Sequence, residues 1–131
     1  MSRQIEPDGW PRPRGYANGI LAEGHLLAIA GQIGWNARGE LAAGFLDQAK
    51  QALRNVVTVL RAAGGEPEHL VRLTWYVTDK REYRENLAAL GAAYREIVGA
   101  HYPAMALVVV ADLLEDGAKV EIEATAVLPA T

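Results

Sequence analysis

The chain has no cysteine, and its only serine is Ser2. The first absence removes disulfides, thiolate nucleophiles and Cys-ligated metals together. The second leaves no internal serine nucleophile. Neither sign of charge dominates: 13 Lys and Arg stand against 16 Asp and Glu, for a net charge of −3 and a pI near 5.6. That balance argues against a surface built for nucleic acid or an anionic membrane. No apolar run approaches the roughly 18 residues of a membrane span. The segment Met1–Glu6 lacks the apolar core of a signal peptide, so a soluble cytoplasmic protein is expected. His25, His69 and His101 show no ligand spacing, and no metal is expected. There is no Gly-Lys-Ser/Thr phosphate loop, and Gly31–Gly34 is too short for a dinucleotide fingerprint, so no cofactor is expected either.

What is present suits one globular domain over residues 1–131, with half of the residues hydrophobic and 22% charged. Pro7, Gly9, Pro11, Pro13 and Gly15 make residues 1–15 an extended arm rather than an element. Strands are predicted at Ile20–Ala22 and His25–Gly31, with Glu23-Gly24 as a hairpin turn between them. Phe45, Ala49, Ala52, Leu53, Val56, Val57 and Leu60 recur at helical spacing, and Gly64-Gly65 ends that helix. From His69 to Thr78 the period is two, with Val71, Leu73, Trp75 and Val77 on one face. Asp79 caps a second helix whose stripe is Tyr83, Leu87, Leu90, Tyr94 and Ile97. Two strands close the chain: Ala104–Ala111, apolar enough to be central, and Ala118–Leu128, with Val120, Ile122, Ala124 and Ala126 on one face. The fold class is therefore α+β, a single sheet with both helices on one face. Leu73, Trp75, Leu107 and Val109 make the sheet largely apolar, which points to an oligomer that covers its second face.

Several short stretches occur in a telling order: Tyr16-Ala17, Ala30-Gly31-Gln32-Ile33, Asn55 with Leu60–Gly64, Val77-Thr78-Asp79, Tyr102-Pro103-Ala104 and Glu121-Ile122-Glu123-Ala124. From Tyr16 to Leu128 the chain resembles the RidA (YjgF) family of enamine and imine deaminases. The resemblance implies a chorismate-mutase-like α+β fold with a mixed sheet, a homotrimer and a small-molecule site in each intersubunit cleft. It makes Glu121 the residue that handles protons and water, and places Tyr16, Gly31 and Gln32 around the substrate. Where those deaminases carry the Arg that holds the substrate carboxylate, this chain has Met105.

A single carboxylate can take a proton from water and return it to nitrogen, a contribution of about 10²–10⁴-fold. An Arg–carboxylate pair adds energy and orientation, and a thioether supplies neither. Either the substrate has no free 2-carboxylate beside Met105, or another cation reaches in; Arg14 and Arg12 come first, Arg38 third. The first option is favoured, an imine or enamine whose acid is absent or masked. The alternative is a non-catalytic small-molecule-binding trimer using the same cleft. RNA cleavage fits poorly with the acidic balance.

Overall fold

The stripe Phe45, Ala49, Ala52, Leu53, Val56, Val57 and Leu60 folds as helix α1, Phe45–Ala62, with every member buried. These positions come from a computed structural model, which describes residues 2–130. Gly64, at φ +84°, ends α1: its N–H donates to Arg61 O, and that of Gly65 donates to Leu60 O, each at 3.0 Å. Such a left-handed cap satisfies carbonyls that the last turn leaves open.

Strands β1 (Ser2–Ile5), β2 (Gly19–Ala22), β3 (His25–Ile33), β4 (Leu70–Val77), β5 (Ala104–Val109) and β6 (Val120–Leu128) form two sheets. The larger has the order β3-β6-β4-β5, with only β4 and β5 parallel. It is mixed, and α1 packs on it against β3 and β6 while α3 (Leu87–Ile97) flanks α1. The expected α+β architecture, one mixed sheet with two main helices on one face, is the one observed. Among the described residues no helix is long and apolar enough to cross a membrane.

Several local expectations need correction. The arm is extended, but Ser2–Ile5 pairs antiparallel with β2 as a strand. The β2–β3 hairpin does not form, since β2 pairs with β1 while β3 pairs with β6. Gly24 serves that connection differently, at φ +146° and so close to Leu128 that a Cβ would lie 2.9 Å from its carbonyl carbon. The second helix is two pieces, α2 (Lys80–Glu85) and α3, broken at Asn86, whose side chain donates to Glu82 O at 2.8 Å. Asp79 caps α2 through the N–H groups of Arg81 and Glu82. In the stripe assigned to that helix, Leu87 is 52% exposed. A register shift between Leu70 and Arg72 puts Leu70, rather than Val71, fully into the core.

Strand β5 is an edge and not a central strand; of its apolar residues, Met105 and Leu107 pack toward the helices. Met105, Leu107 and Val109 pair with Leu73, Trp75 and Val77, and this row lies toward the helices. Of the four residues that suggested an exposed apolar face, Leu73, Trp75 and Leu107 pack on the helix-side core, while Val109, in the same row, is half exposed. The sheet's outer face carries Arg72, Thr74, Tyr76, Glu121, Glu123 and Thr125, together with the exposed Leu26 and Val108. The apolar area of this face thus lies on its two edge strands, β3 and β5.

Candidate active site

Strand β3 is bulged where it passes Glu123. Ile29 pairs with Ala124 and Gln32 with Ile122, so Ala30 and Gly31 together oppose a single residue of β6. An extra residue in one strand leaves backbone groups off the ladder and bends the strand. The Gln32 side chain donates to Ala30 O at 3.0 Å, which braces the bulge. Gly31 then lies directly against Glu121: a Cβ there would sit 2.7 Å from Glu121 Cδ and 2.9 Å from its Cγ. Only glycine leaves room for the carboxylate.

The loop beyond the bulge is fastened to α1. Asn55 donates to Ile33 O at 3.1 Å and to Trp35 O at 2.9 Å, and accepts from Gln51 at 2.9 Å. Gly34 packs so tightly on the same helix that a Cβ would lie 2.6 Å from Gln48 Cβ. Gln48, buried on the apolar stripe, donates to Ala42 O and Gly117 O, each at 3.1 Å, and accepts from Lys119 N–H at 2.8 Å. It joins the loop after β3 to the start of β6, the two segments that meet at Gly31 and Glu121. Reading the sequence as an apolar stripe missed Gln48, although a polar side chain between Phe45 and Ala49 was a visible signal.

Tyr76 was missed as well. It faces Glu121 across the β4–β6 ladder, and its hydroxyl donates to Glu123 Oε1. That hydrogen bond, with some desolvation and the charges of Glu123 and Glu121, raises the phenol above its ordinary pKa; Arg72 opposes the shift. Glu123 is thus engaged, and among the described residues no such bond holds Glu121.

Met105 belongs to a different place. It lines a pocket of ≈ 380 Å³ between α3 and β5, shared with Arg14, Tyr16, Trp75, Leu90 and Tyr94. Tyr94 stacks on Tyr102 with ring centroids 5.1 Å apart and donates its hydroxyl to His101 O at 2.7 Å. Trp75 meets Tyr83 edge-on at 6.4 Å. Burial raises the pKa of both Tyr83 and Tyr94, so both phenols stay neutral at ordinary pH. Of the three cations considered, Arg14 lines this pocket, Arg12 does not, and Arg38 pairs with Glu40 at 3.1 Å.

The sequence-derived residues therefore fall into two groups. Gly31, Gln32 and Glu121 gather at the β3 bulge, and Arg14, Tyr16 and Met105 gather at the β5 edge. Met105 faces the helix side and Glu121 the outer side of the sheet, so one chain does not bring the groups together. Among the described residues no three of His, Asp and Glu converge to ligate a metal.

The family model described as Endoribonuclease L-PSP matches residues 11–128. The chain belongs to this family, that of the RidA proteins. Among RidA relatives, the 2-iminobutanoate/2-iminopropanoate deaminase of Escherichia coli K12 is 35% identical over 132 residues, covering 97% of this chain and 98% of the relative. A RutC family protein of Pyrococcus horikoshii is 33% identical over 128 residues, covering 96% and 98%. Of solved structures, the Rid family protein YyfB of Yersinia pestis superposes with a TM-score of 0.83 at 37% identity, covering 97% and 98% of the two chains. The YjgF gene product of E. coli gives 0.67 at 34%, covering 95% and 98%. The RidA family thus includes named imine deaminases, which supports enzymatic imine deamination at the level of the family.

Proposed function

We propose that this protein is an imine or enamine hydrolase of the deaminase kind, acting in a cleft between the subunits of a homotrimer on a substrate without a free 2-carboxylate. The observation that carries the reading is the approach of Gly31 to Glu121, a carboxylate set against a bulged, solvent-facing backbone. Water adding to the imine carbon gives one proton to Glu121, which passes it to the nitrogen and leaves a carbinolamine. The carbinolamine hydroxyl then gives its proton to nitrogen by the same route as the C–N bond breaks, so ammonia leaves a carbonyl product. The names of the bacterial and human deaminase relatives support the same chemistry.

The trimer supplies what one chain lacks. A neighbour's β5 edge, with Tyr16 and Met105, placed against the β3 bulge joins the two groups of residues. Met105 offers a thioether to whatever replaces the acid, so a masked acid such as an ester suits it.

The test is hydrolysis of 2-iminopropanoate and of its methyl ester, by the wild type and by Glu121→Gln. Faster turnover of the ester, lost in Glu121→Gln, is expected. Preference for the free acid would remove the claim about the carboxylate. Silence on both, with retained binding of the ester's amine analogue, would favour a non-catalytic binder. Light scattering checks the assembly, with three times the 14.1 kDa chain mass expected.

A further inference from the structure

The pocket beside Met105 is larger than a small aliphatic imine requires, and its two ends differ in chemistry. Trp75, Leu90 and Tyr94 form a buried floor. Arg14, Tyr16 and Leu87 form an exposed rim. Among the described residues, Arg14 is the only charged side chain that lines it. A site of ≈ 380 Å³ with an aromatic floor and polar groups at one end is of the size and kind that holds a ring-bearing small molecule.

Gly91 gives an independent sign. It lies within α3, where glycine is the poorest helix former after proline, and it lines the same pocket. Its φ is not in the left-handed region, so no turn demands it. A Cβ there would meet nothing closer than Arg95 Nη1 at 3.6 Å, so no protein neighbour demands it either. The space that Gly91 leaves belongs to the pocket.

We propose that this pocket receives an aryl side chain, of phenyl to indolyl size, carried by the imine, and that Gly91 keeps room for it. This deepens the deaminase reading and rests on it. Edge-to-face and stacked contacts from Trp75 and Tyr94 suit a flat ring. The imine end then lies at the rim with Tyr16 and Met105, where the proposed neighbour brings Glu121. Charge agrees with the arrangement: no cation lines the floor, Arg14 is at the rim, and the exposed Arg95 comes near only beside Gly91.

The test uses the full chain and two matched probes. Methyl esters of the imines of phenylalanine and alanine are generated in situ by eliminating HCl from the N-chloroamino esters. Hydrolysis adds water to each, releases ammonia and leaves the keto ester. Phenylalaninamide and alaninamide, which cannot turn over, report binding by calorimetry. The expected result is a kcat/KM at least about 10-fold higher for the benzyl than for the methyl imine. Gly91→Leu, which projects into the pocket, should bring that ratio close to one and abolish the tighter binding of phenylalaninamide. Gly91→Ala, compatible with the helix, should reduce the ratio partly. Equal turnover of both imines, unmoved by either variant, overturns the pocket assignment and leaves the deaminase reading intact. Gly91-dependent binding of phenylalaninamide without turnover of either imine sustains the pocket and overturns the deaminase reading. Neither binding nor turnover overturns both.

Discussion

The Tyr76 hydroxyl donates to the carboxylate of Glu123 on the outer face of the sheet, leaving Glu121, two residues away, without that partner. Two carboxylates on one strand face are thereby made unequal. Glu123 is a hydrogen-bonded acceptor, whereas Glu121 lies against the Gly31 bulge. Removing the hydroxyl should blur the distinction, because the Glu123 carboxylate is then free to turn within the site. Tyr76→Phe should lower kcat/KM for imine hydrolysis while the far-UV spectrum stays the same. An unchanged kcat/KM would dismiss the pairing as irrelevant to catalysis.

The same phenol, together with Tyr83 and Tyr94, gives a stability prediction with a definite sign. All three have pKa values raised in the folded chain. Above the ordinary phenol value of about 10 the unfolded chain loses protons that the folded chain keeps, so the unfolding free energy falls as pH rises. The contribution is complete below that pH and is lost progressively above it. Urea midpoints should therefore be flat from neutrality to about pH 10 and decline beyond it. In Tyr94→Phe the alkaline decline should be shallower, while stability near neutrality drops by about 1 kcal/mol for the lost bond to His101 O.

Gly31→Ala tests the bulge directly. The new Cβ displaces the Glu121 carboxyl, but the residue is exposed and its backbone lies outside the left-handed region. Activity should fall by about 10²-fold, near the lower bound of acid–base catalysis, with little change in melting temperature. A melt lowered in proportion to the activity would instead mean that Gly31 serves the fold.

How far the chain could be read without coordinates depended on whether a residue's partner was local. The stripe of α1 and the alternation in β6 follow from spacing within one element, and every residue so assigned is buried. The Asp79 cap and the Gly64 stop are equally local. Strand pairing is not: β2 and β3 adjoin in sequence across Glu23-Gly24, yet each finds another partner. Apolar content also misled for β5, since residues facing helices at an edge look like those of a central strand. In the site, Gly31 and Glu121 were named from resemblance, but their contact spans 90 positions and had no sequence signature. The aromatic pocket was missed because Trp75, Tyr94 and Tyr102 each read as ordinary core or loop residues on their own elements.

Gln48 should be more important for stability than its polarity suggests. Gln48→Leu keeps the volume but strands Ala42 O, Gly117 O and the Lys119 N–H. Loss of about 2–4 kcal/mol is expected from groups left without partners, read as a lower urea midpoint. Gln48→Glu should recover less than half of the loss, because a carboxylate can accept from Lys119 but cannot donate to the two carbonyls.

Met105→Arg addresses what the site discriminates. Position 105 lies on the pocket wall with Tyr16 and Arg14, and its main chain is fixed by pairing with Leu73. A guanidinium there would meet a substrate carboxylate with a charge-assisted, two-pronged contact of about 1.5–3 kcal/mol. By the free-energy equivalence of about 1.4 kcal/mol per tenfold, the preference for free 2-iminopropanoate over its ester should rise by roughly 10- to 100-fold. The ester should lose ground in the same variant, since it has no charge to offset the desolvation of the new cation. Arg14→Gln provides the control. If the wild type already handles a free acid through Arg14, that substitution will lower acid turnover selectively, and Met105→Arg will restore it. If acid and ester respond alike to both substitutions, position 105 does not contact that end of the substrate.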